Sequence, residues 1–92
     1  MEFEWDPKKA KYNLKKHGVS FEEASSVFAD PLAVVYEDPD HSVYENRFLT
    51  IGTSIQGQLL HIAFADDGER IRIISARTLT KLEKKLYEEE IR

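Results

Sequence analysis

Residues 70–77 read Arg-Ile-Arg-Ile-Ile-Ser-Ala-Arg, and the first four of them alternate charged and apolar side chains. Side chains two residues apart on a strand point to the same face, so Arg70 and Arg72 share one face of the predicted strand. Ile71 and Ile73 point to the opposite face. This stretch decides the fold, because it predicts a sheet that packs one face on the core and presents guanidinium groups on the other.

Three further strands are predicted before this one. The hydrophobic period is about two residues over 33–36, 47–54 and 59–65, and polar turn residues separate the segments. Strands joined by short turns pair antiparallel. An additional short strand at residues 2–5 is compatible with the alternation of polar and aromatic side chains there.

Two helices are predicted ahead of the main run of strands. Asp6 and Pro7 are typical of a helix start, and this helix runs to about His17, with Ala10, Leu14 and His17 on one stripe. The sequence Ser20-Phe-Glu-Glu23 is a capping box that begins a second helix. That second helix ends before the Asp-Pro pair at residues 30–31.

A last helix is predicted after the strands. Thr80-Leu-Lys-Glu83 is another capping box, and the helix continues to about Ile91. Leu79, Leu82 and Leu86 form an apolar stripe that we expect to be buried. Because the helices flank the run of strands, the predicted fold class is α+β, with two N-terminal helices, a four-stranded mainly antiparallel sheet and a C-terminal helix.

Composition narrows the class of protein. The 92 residues are 41% hydrophobic and 33% charged, which predicts one soluble domain over residues 1–92. The absence of cysteine excludes a disulfide scaffold, a thiol nucleophile and a Cys-ligated zinc site. No apolar run approaches the ~20 residues that a membrane span needs. We therefore expect a cytoplasmic protein that does not use a membrane as partner.

The sequence contains no motif for a metal or a cofactor. Its three histidines do not have the spacing of metal ligands, and it has neither a glycine-rich phosphate loop nor a Gly-x-Ser-x-Gly elbow. The expectation is a protein without metal or cofactor.

Charge is distributed unevenly along the chain. The net charge is −4, yet residues 8–17 are basic, and every charge in 22–45 is negative at neutral pH. This arrangement suits one anionic and one basic partner, although for any single charge run a solvated surface is the favoured explanation.

A few residues stand out as functional candidates, each with a structural alternative. Arg77 lies where the strand gives way to the last helix, and Arg72 precedes it on the same strand. Guanidinium groups match phosphate geometry, but pairing with nearby carboxylates is the alternative. His17 either complements the helix dipole or acts as a general acid or base. Tyr87 either borders the core or stacks on a base.

Taken in order, these motifs resemble the BrnT family of toxins from bacterial type II toxin–antitoxin pairs. The resemblance covers nearly the whole chain. The segments that carry it are residues 3–7, 13–24, 27–31, 38–41, 47–52 and 70–77, followed by Glu83 and Tyr87.

The resemblance implies a RelE-like fold and a ribonuclease that cleaves RNA and inhibits translation. It also implies a cognate BrnA-type antitoxin that folds over the toxin. That antitoxin carries the DNA-binding part, so operator DNA is contacted only indirectly, through the complex.

The resemblance and the chemistry together suggest site residues. Metal-free RNA cleavage must deprotonate the 2′-hydroxyl, stabilise the charged phosphorane and protonate the leaving oxygen. Arginine cannot be the base, because its pKa exceeds about 12. The expected catalytic residues are Arg77 and Arg47 for the phosphorane and His17 and Glu83 for acid–base chemistry; Lys9, Lys16, Arg72 and Tyr87 are expected to bind RNA.

A second interpretation stays open. The chain could be a toxin-like interaction module without catalytic activity, acting in a partner complex or in autorepression. Its low basicity and scattered histidines are compatible with this.

Overall fold

A five-stranded mixed sheet forms the centre of the molecule. The computed structural model describes residues 2–39 and 45–90. The elements in chain order are β1 (Glu2–Glu4), α1 (Pro7–His17), α2 (Phe21–Ser26), a 3₁₀ turn (Val27–Ala29), β2 (Val34–Glu37), β3 (Arg47–Thr53), β4 (Leu59–Asp66), β5 (Arg70–Thr78) and α3 (Lys81–Glu90). Part of the 38–41 segment and the predicted helix end at Ile91 lie outside the described residues.

The prediction of a four-stranded mainly antiparallel sheet was wrong. The strand order is β1-β5-β4-β3-β2, and β1 pairs with β5 in parallel. Glu2 lies opposite Arg70 and Glu4 opposite Arg72 in register, and the Arg70 guanidinium forms ion pairs with both carboxylates, with Nε 3.3 Å from a Glu2 carboxylate oxygen. Three residues carry too little periodicity to predict this pairing from sequence.

One face of the sheet is covered by the two N-terminal helices. We call it the covered face and define it by Leu60, Ile62, Phe64, Ile71 and Ile73, all of which are buried. The side chains packed against it come from α2 and the residues next to it: Val19, Phe21, Ala24 and Val27. The alternation in β5 correctly predicts which isoleucines face the core.

Capping residues set the ends of α1 as the sequence predicts. The Asp6 carboxylate accepts a hydrogen bond from the Lys8 N–H at 2.8 Å. At the other end Gly18 adopts φ = 70°, a left-handed conformation that glycine tolerates without strain, and its N–H donates to Leu14 O. The turn leads directly into α2.

Asn13 joins α1 to the edge of β5. Its Nδ2 donates to Ala76 O at 2.8 Å and to Val19 O at 2.9 Å, while the Ala76 N–H donates to Oδ1 at 3.1 Å. Strand β1 stops opposite Arg72, so at Ala76 the Asn13 amide takes the place of a neighbouring strand. Asn13 is only 4% exposed, and these bonds satisfy backbone groups that would otherwise be buried without partners.

The faces predicted for two helices differ from the observed ones. Leu14 is 51% exposed because α1 turns Asn13, not Leu14, towards the sheet. In α3, Leu82 and Leu86 are also exposed, and Tyr87 is the buried residue. Its hydroxyl donates to Leu32 O at 3.2 Å, so a tyrosine with a polar tip replaces the predicted leucine stripe.

Asn13→Ala is expected to lower the free energy of unfolding by about 3 kcal/mol. The substitution removes three hydrogen bonds and leaves two carbonyls and one N–H buried, each at a cost of roughly 1 kcal/mol or more. Urea unfolding followed by circular dichroism measures the change. Lys11→Ala, an exposed change on the same helix, should stay within about 0.5 kcal/mol, and an equally small loss for Asn13→Ala would contradict the role assigned here.

Candidate active site

The other face of the sheet carries the polar side chains. We call it the outer face and define it by one row of residues that are paired across four strands: Val34, Ile51, His61 and Arg77. The next row consists of Tyr36, Leu49, Ala63 and Ser75. Residues paired in register point to the same face, so His61 and Arg77 are direct neighbours there.

A β-bulge brings Arg77 to the outer face. Phe64 pairs with Ile73 and Ala63 with Ser75, which leaves Ile74 as one extra residue on β5. Strict alternation from Ile71 and Ile73 would point Arg77 towards the core. The extra residue reverses the alternation, so Ala76 is buried and Arg77 lies on the same side as Arg72.

Glu83 holds the Arg77 guanidinium in a bidentate ion pair. Arg77 Nη1 and Nη2 lie 2.7 and 2.8 Å from the two Glu83 carboxylate oxygens, and Nη1 also donates to Thr78 O at 3.2 Å. The Thr80 N–H donates to the same carboxylate at 2.9 Å, and the Glu83 N–H donates to the Thr80 hydroxyl at 3.2 Å. The predicted capping box of α3 therefore also orients Arg77.

Tyr36 and His61 form a second polar pair beside the first. The Tyr36 hydroxyl lies 3.0 Å from His61 Nε2, and the two rings are nearly perpendicular at 76°. Tyr36 is on β2 and His61 on β4, so the phenol reaches across β3. Tyr36 is 41% exposed, while His61 is half-buried.

The four groups shift one another's protonation equilibria. The hydrogen bonds from Arg77 lower the pKa of Glu83 to about 2, and the same contact raises the pKa of Arg77. Burial, followed by the Arg77 charge, lowers the pKa of His61 below its usual value. Burial, followed by the Glu83 charge, raises the pKa of Tyr36. At neutral pH the cluster therefore holds an ion pair next to a neutral imidazole and a neutral phenol.

A second arginine cluster lies on the outer face, one row beyond Tyr36. Arg47 on β3 and Arg72 on β5 both lie opposite Ala65 of β4, one on each side of that strand. Glu45 forms ion pairs with both arginines, and Arg47 Nη2 lies 3.6 Å from Asp38 Oδ2. Within the described residues the buried Nε of Arg47 makes no hydrogen bond. Both guanidinium groups are thus already paired with carboxylates.

The remaining predicted site residues lie on α1 and α3. Lys9, Lys16 and His17 line a shallow cleft between α1 and Ser75 of β5. His17 is exposed and, in the described part of the chain, makes no hydrogen bond or ion pair with the Arg77 cluster. Tyr87 is 7% exposed, which leaves little of its ring free to stack on a base.

The structure therefore divides the predicted set into separate groups. It brings Arg77 and Glu83 together, and it brings Arg47 and Arg72 together. The sequence reasoning missed His61 and Tyr36. The alternation of Leu60, His61 and Ile62 could have predicted that His61 points away from the core. Its position opposite Arg77 depends on how β4 and β5 align, which the sequence does not show.

Within the described residues no group of three His, Cys, Asp or Glu side chains is arranged to hold a metal ion. In the same part of the chain no helix has the length and apolar character to cross a membrane.

The Arg77–Glu83 pair predicts a pH-dependent contribution to stability. The pKa of Glu83 is about 2 in the folded state and near 4.5 when unfolded, so the contribution is full above about pH 4.5 and is lost as the pH falls towards 2. We expect Glu83→Gln to cost about 1 kcal/mol at pH 7, allowing for solvent screening, and less at pH 3.

Urea unfolding at both pH values tests this expectation. Glu88→Gln, an exposed change on the same helix, is the control and should stay within about 0.5 kcal/mol at either pH. An equal loss for Glu83→Gln at pH 7 and pH 3 would contradict the ion-pair origin of the effect.

Comparison with solved structures identifies a protein with a similar fold. The crystal structure of the Brucella abortus ribonuclease toxin BrnT matches with a TM-score of 0.69 and 24% sequence identity, covering 88% of this chain and 99% of that one. This likeness shows the fold. Comparison with curated proteins gives no match.

The family model described as the ribonuclease toxin BrnT of type II toxin–antitoxin systems matches residues 5–83. The match includes the outer-face residues Tyr36, His61 and Arg77, together with Glu83 of α3. A type II system also implies an antitoxin partner. The chain belongs to the BrnT family of ribonuclease toxins of type II toxin–antitoxin systems.

Proposed function

We propose that this chain is a metal-independent endoribonuclease that inhibits translation, and that it cleaves RNA on the outer face around Arg77. The observation that carries the proposal is the meeting of a guanidinium, an imidazole, a phenol and a carboxylate at one place on the face opposite the core. Family membership supports the reaction class.

Arg77 is proposed to stabilise the phosphorane. Its planar fork fits two phosphate oxygens, and its charge opposes the negative charge that develops there. For this the phosphate must take over part of the contact with Glu83, whose pKa of about 2 makes it a weak base at neutral pH. We therefore assign Glu83 to positioning Arg77 and not to proton transfer.

The other predicted residues are proposed to hold the RNA backbone. Arg47 and Arg72 could take a neighbouring phosphate, if it displaces Glu45. Lys9 and Lys16 could hold a further phosphate at the α1 cleft, which continues to the outer face through Ser75. His17 belongs to this binding surface in the proposal, since it has no contact with the Arg77 cluster.

A BrnA-type antitoxin is the proposed protein partner. A groove between α3 and β2 is lined by Val34, Val35 and Leu86 together with Tyr36 and Glu83 of the candidate site. Val35, Leu82 and Leu86 are more than half exposed, which suits an apolar partner segment. An antitoxin in this groove would cover the site, and operator DNA would be reached only through that antitoxin.

The alternative is a non-catalytic toxin-like interaction module that acts in a partner complex or in autorepression. One observation favours it: each of the four described arginines, including Arg77, already pairs with a carboxylate. A cleavage assay with purified protein separates this alternative from the proposed ribonuclease.

Arg77→Ala is expected to lower RNA cleavage by about 10²–10³-fold while the fold is kept, because a donor to the phosphorane is lost. The assay uses purified protein, a short RNA and excess EDTA, so that it also tests metal independence. Arg70→Ala is the matched control, since Arg70 pairs with Glu2 and Glu4 at the far end of the same strand. Full activity of folded Arg77→Ala would remove Arg77 from the catalytic set.

Expression of the chain alone in bacteria is expected to stop growth and protein synthesis, and co-expression of a BrnA-type antitoxin should restore both. Leu82→Gln combined with Leu86→Gln should leave the chain toxic but reduce rescue, because the apolar contacts of the exposed side of α3 are removed without adding charge beside the site. Growth and incorporation of labelled methionine are the readouts. Undiminished rescue of the double variant would place the antitoxin elsewhere.

A further inference from the structure

We propose that His61, acting through the hydroxyl of Tyr36, accepts the proton of the attacking 2′-hydroxyl during RNA cleavage. The inference rests on the proposed ribonuclease function. It replaces the sequence-based assignment of proton transfer to His17 and Glu83.

The geometry gives the two residues different access to a substrate. Tyr36 stands at the mouth of the groove beside α3 and is 41% exposed. His61 lies behind it, half-buried, with Nε2 3.0 Å from the phenolic oxygen. A ribose hydroxyl therefore reaches Tyr36 first, and the imidazole accepts the proton from the phenol.

Arg77 places the reacting phosphate next to this pair. Arg77 and His61 are paired residues on neighbouring strands and share the outer face. A phosphate held by the guanidinium lies beside the imidazole and its phenol partner. The attacking 2′-hydroxyl is on the same ribose whose 3′-oxygen carries that phosphate, which puts it within reach of Tyr36.

A purely structural role explains the Tyr36–His61 pair less well. Strand β2 is already held by its backbone pairing with β3 along all four of its residues. The neighbouring outer-face positions Val34, Leu49 and Ile51 are apolar, so an apolar pair would pack there without desolvating polar groups. A histidine beside a fixed arginine is held neutral, and a neutral imidazole is the form that can accept a proton.

The proposed step balances without a metal. The 2′-oxygen attacks phosphorus while its proton passes to Tyr36 Oη, and the phenolic proton moves to His61 Nε2. The bond from phosphorus to the 5′-oxygen breaks, and that oxygen takes a proton from water. The products are a 2′,3′-cyclic phosphate and a 5′-hydroxyl, and the imidazolium returns its proton to the hydroxide left in solvent.

The charged groups around His61 define the expected pH dependence. They are Asp38 beyond the end of β2, Arg77 from β5 and Glu83 from α3; β2 also presents the neutral phenol of Tyr36, and β3 presents the apolar Leu49 and Ile51. Because kcat/KM reports the free enzyme, it should rise with pH to a plateau, with a midpoint below 6.5.

The test measures kcat/KM for a short RNA between pH 4.5 and 8.5, with EDTA present. His61→Gln is expected to lose about 10²–10⁴-fold and to lose the acidic limb of the profile. Tyr36→Phe, which removes one exposed oxygen, is expected to lower kcat by about 10²-fold with little change in KM. Glu22→Gln, an exposed change on α2, which packs on the covered face away from the candidate site, is the control and should match the unsubstituted protein.

The outcomes separate this inference from the function on which it rests. If the unsubstituted chain cleaves RNA and folded His61→Gln keeps its rate and acidic limb, only the His61 assignment is overturned. If the unsubstituted chain does not cleave RNA, the ribonuclease proposal fails and the inference with it. If His61→Gln does not fold, Tyr36→Phe decides: an unchanged kcat overturns the relay, and the expected loss supports it.

Discussion

The pairing of the Asn13 amide with the backbone of Ala76 is the contact on which the arrangement of the molecule depends. Beyond the end of β1, strand β5 pairs with another strand along one edge only. At its other edge the Asn13 side chain from α1 forms hydrogen bonds with the backbone. The same amide holds Val19 O, so it also sets the turn that leads to α2. The next residue on β5 is Arg77, whose backbone is thereby fixed between a helix and a sheet.

Local signals predicted the helices better than the sheet. Caps at Asp6, Ser20 and Thr80 begin helices because each satisfies free N–H groups with its own side chain, an effect contained within four residues. The parallel pairing of β1 joins residues almost seventy positions apart, and no local pattern encodes it. The face of α3 was misassigned for a similar reason, since the contact of the buried Tyr87 with Leu32 joins residues that are far apart in sequence.

The candidate site was predictable in part. Arg77 and Glu83 attract notice in sequence because one ends a strand and the other belongs to a capping box, and six residues separate them. Tyr36 and His61 lie on strands that are not adjacent, so their contact exists only when β3 lies between them in register. Residue type alone did not single out either of them. They become candidate functional residues because the structure places the half-buried imidazole of His61 next to the charge of Arg77.

The bulge at Ile74 decides which face of the sheet each residue beyond it occupies. If β5 paired with β4 in strict alternation with Ile74 included, Arg77 would enter the hydrophobic core, and Ala76 would take its place beside His61. Removing Ile74 would leave regular pairing, because Ile73 and Ser75 already lie opposite consecutive residues of β4, and Arg77 would stay on the outer face. Evolution can thus shorten this strand by one residue at the bulge without exchanging the inside and the outside of the protein.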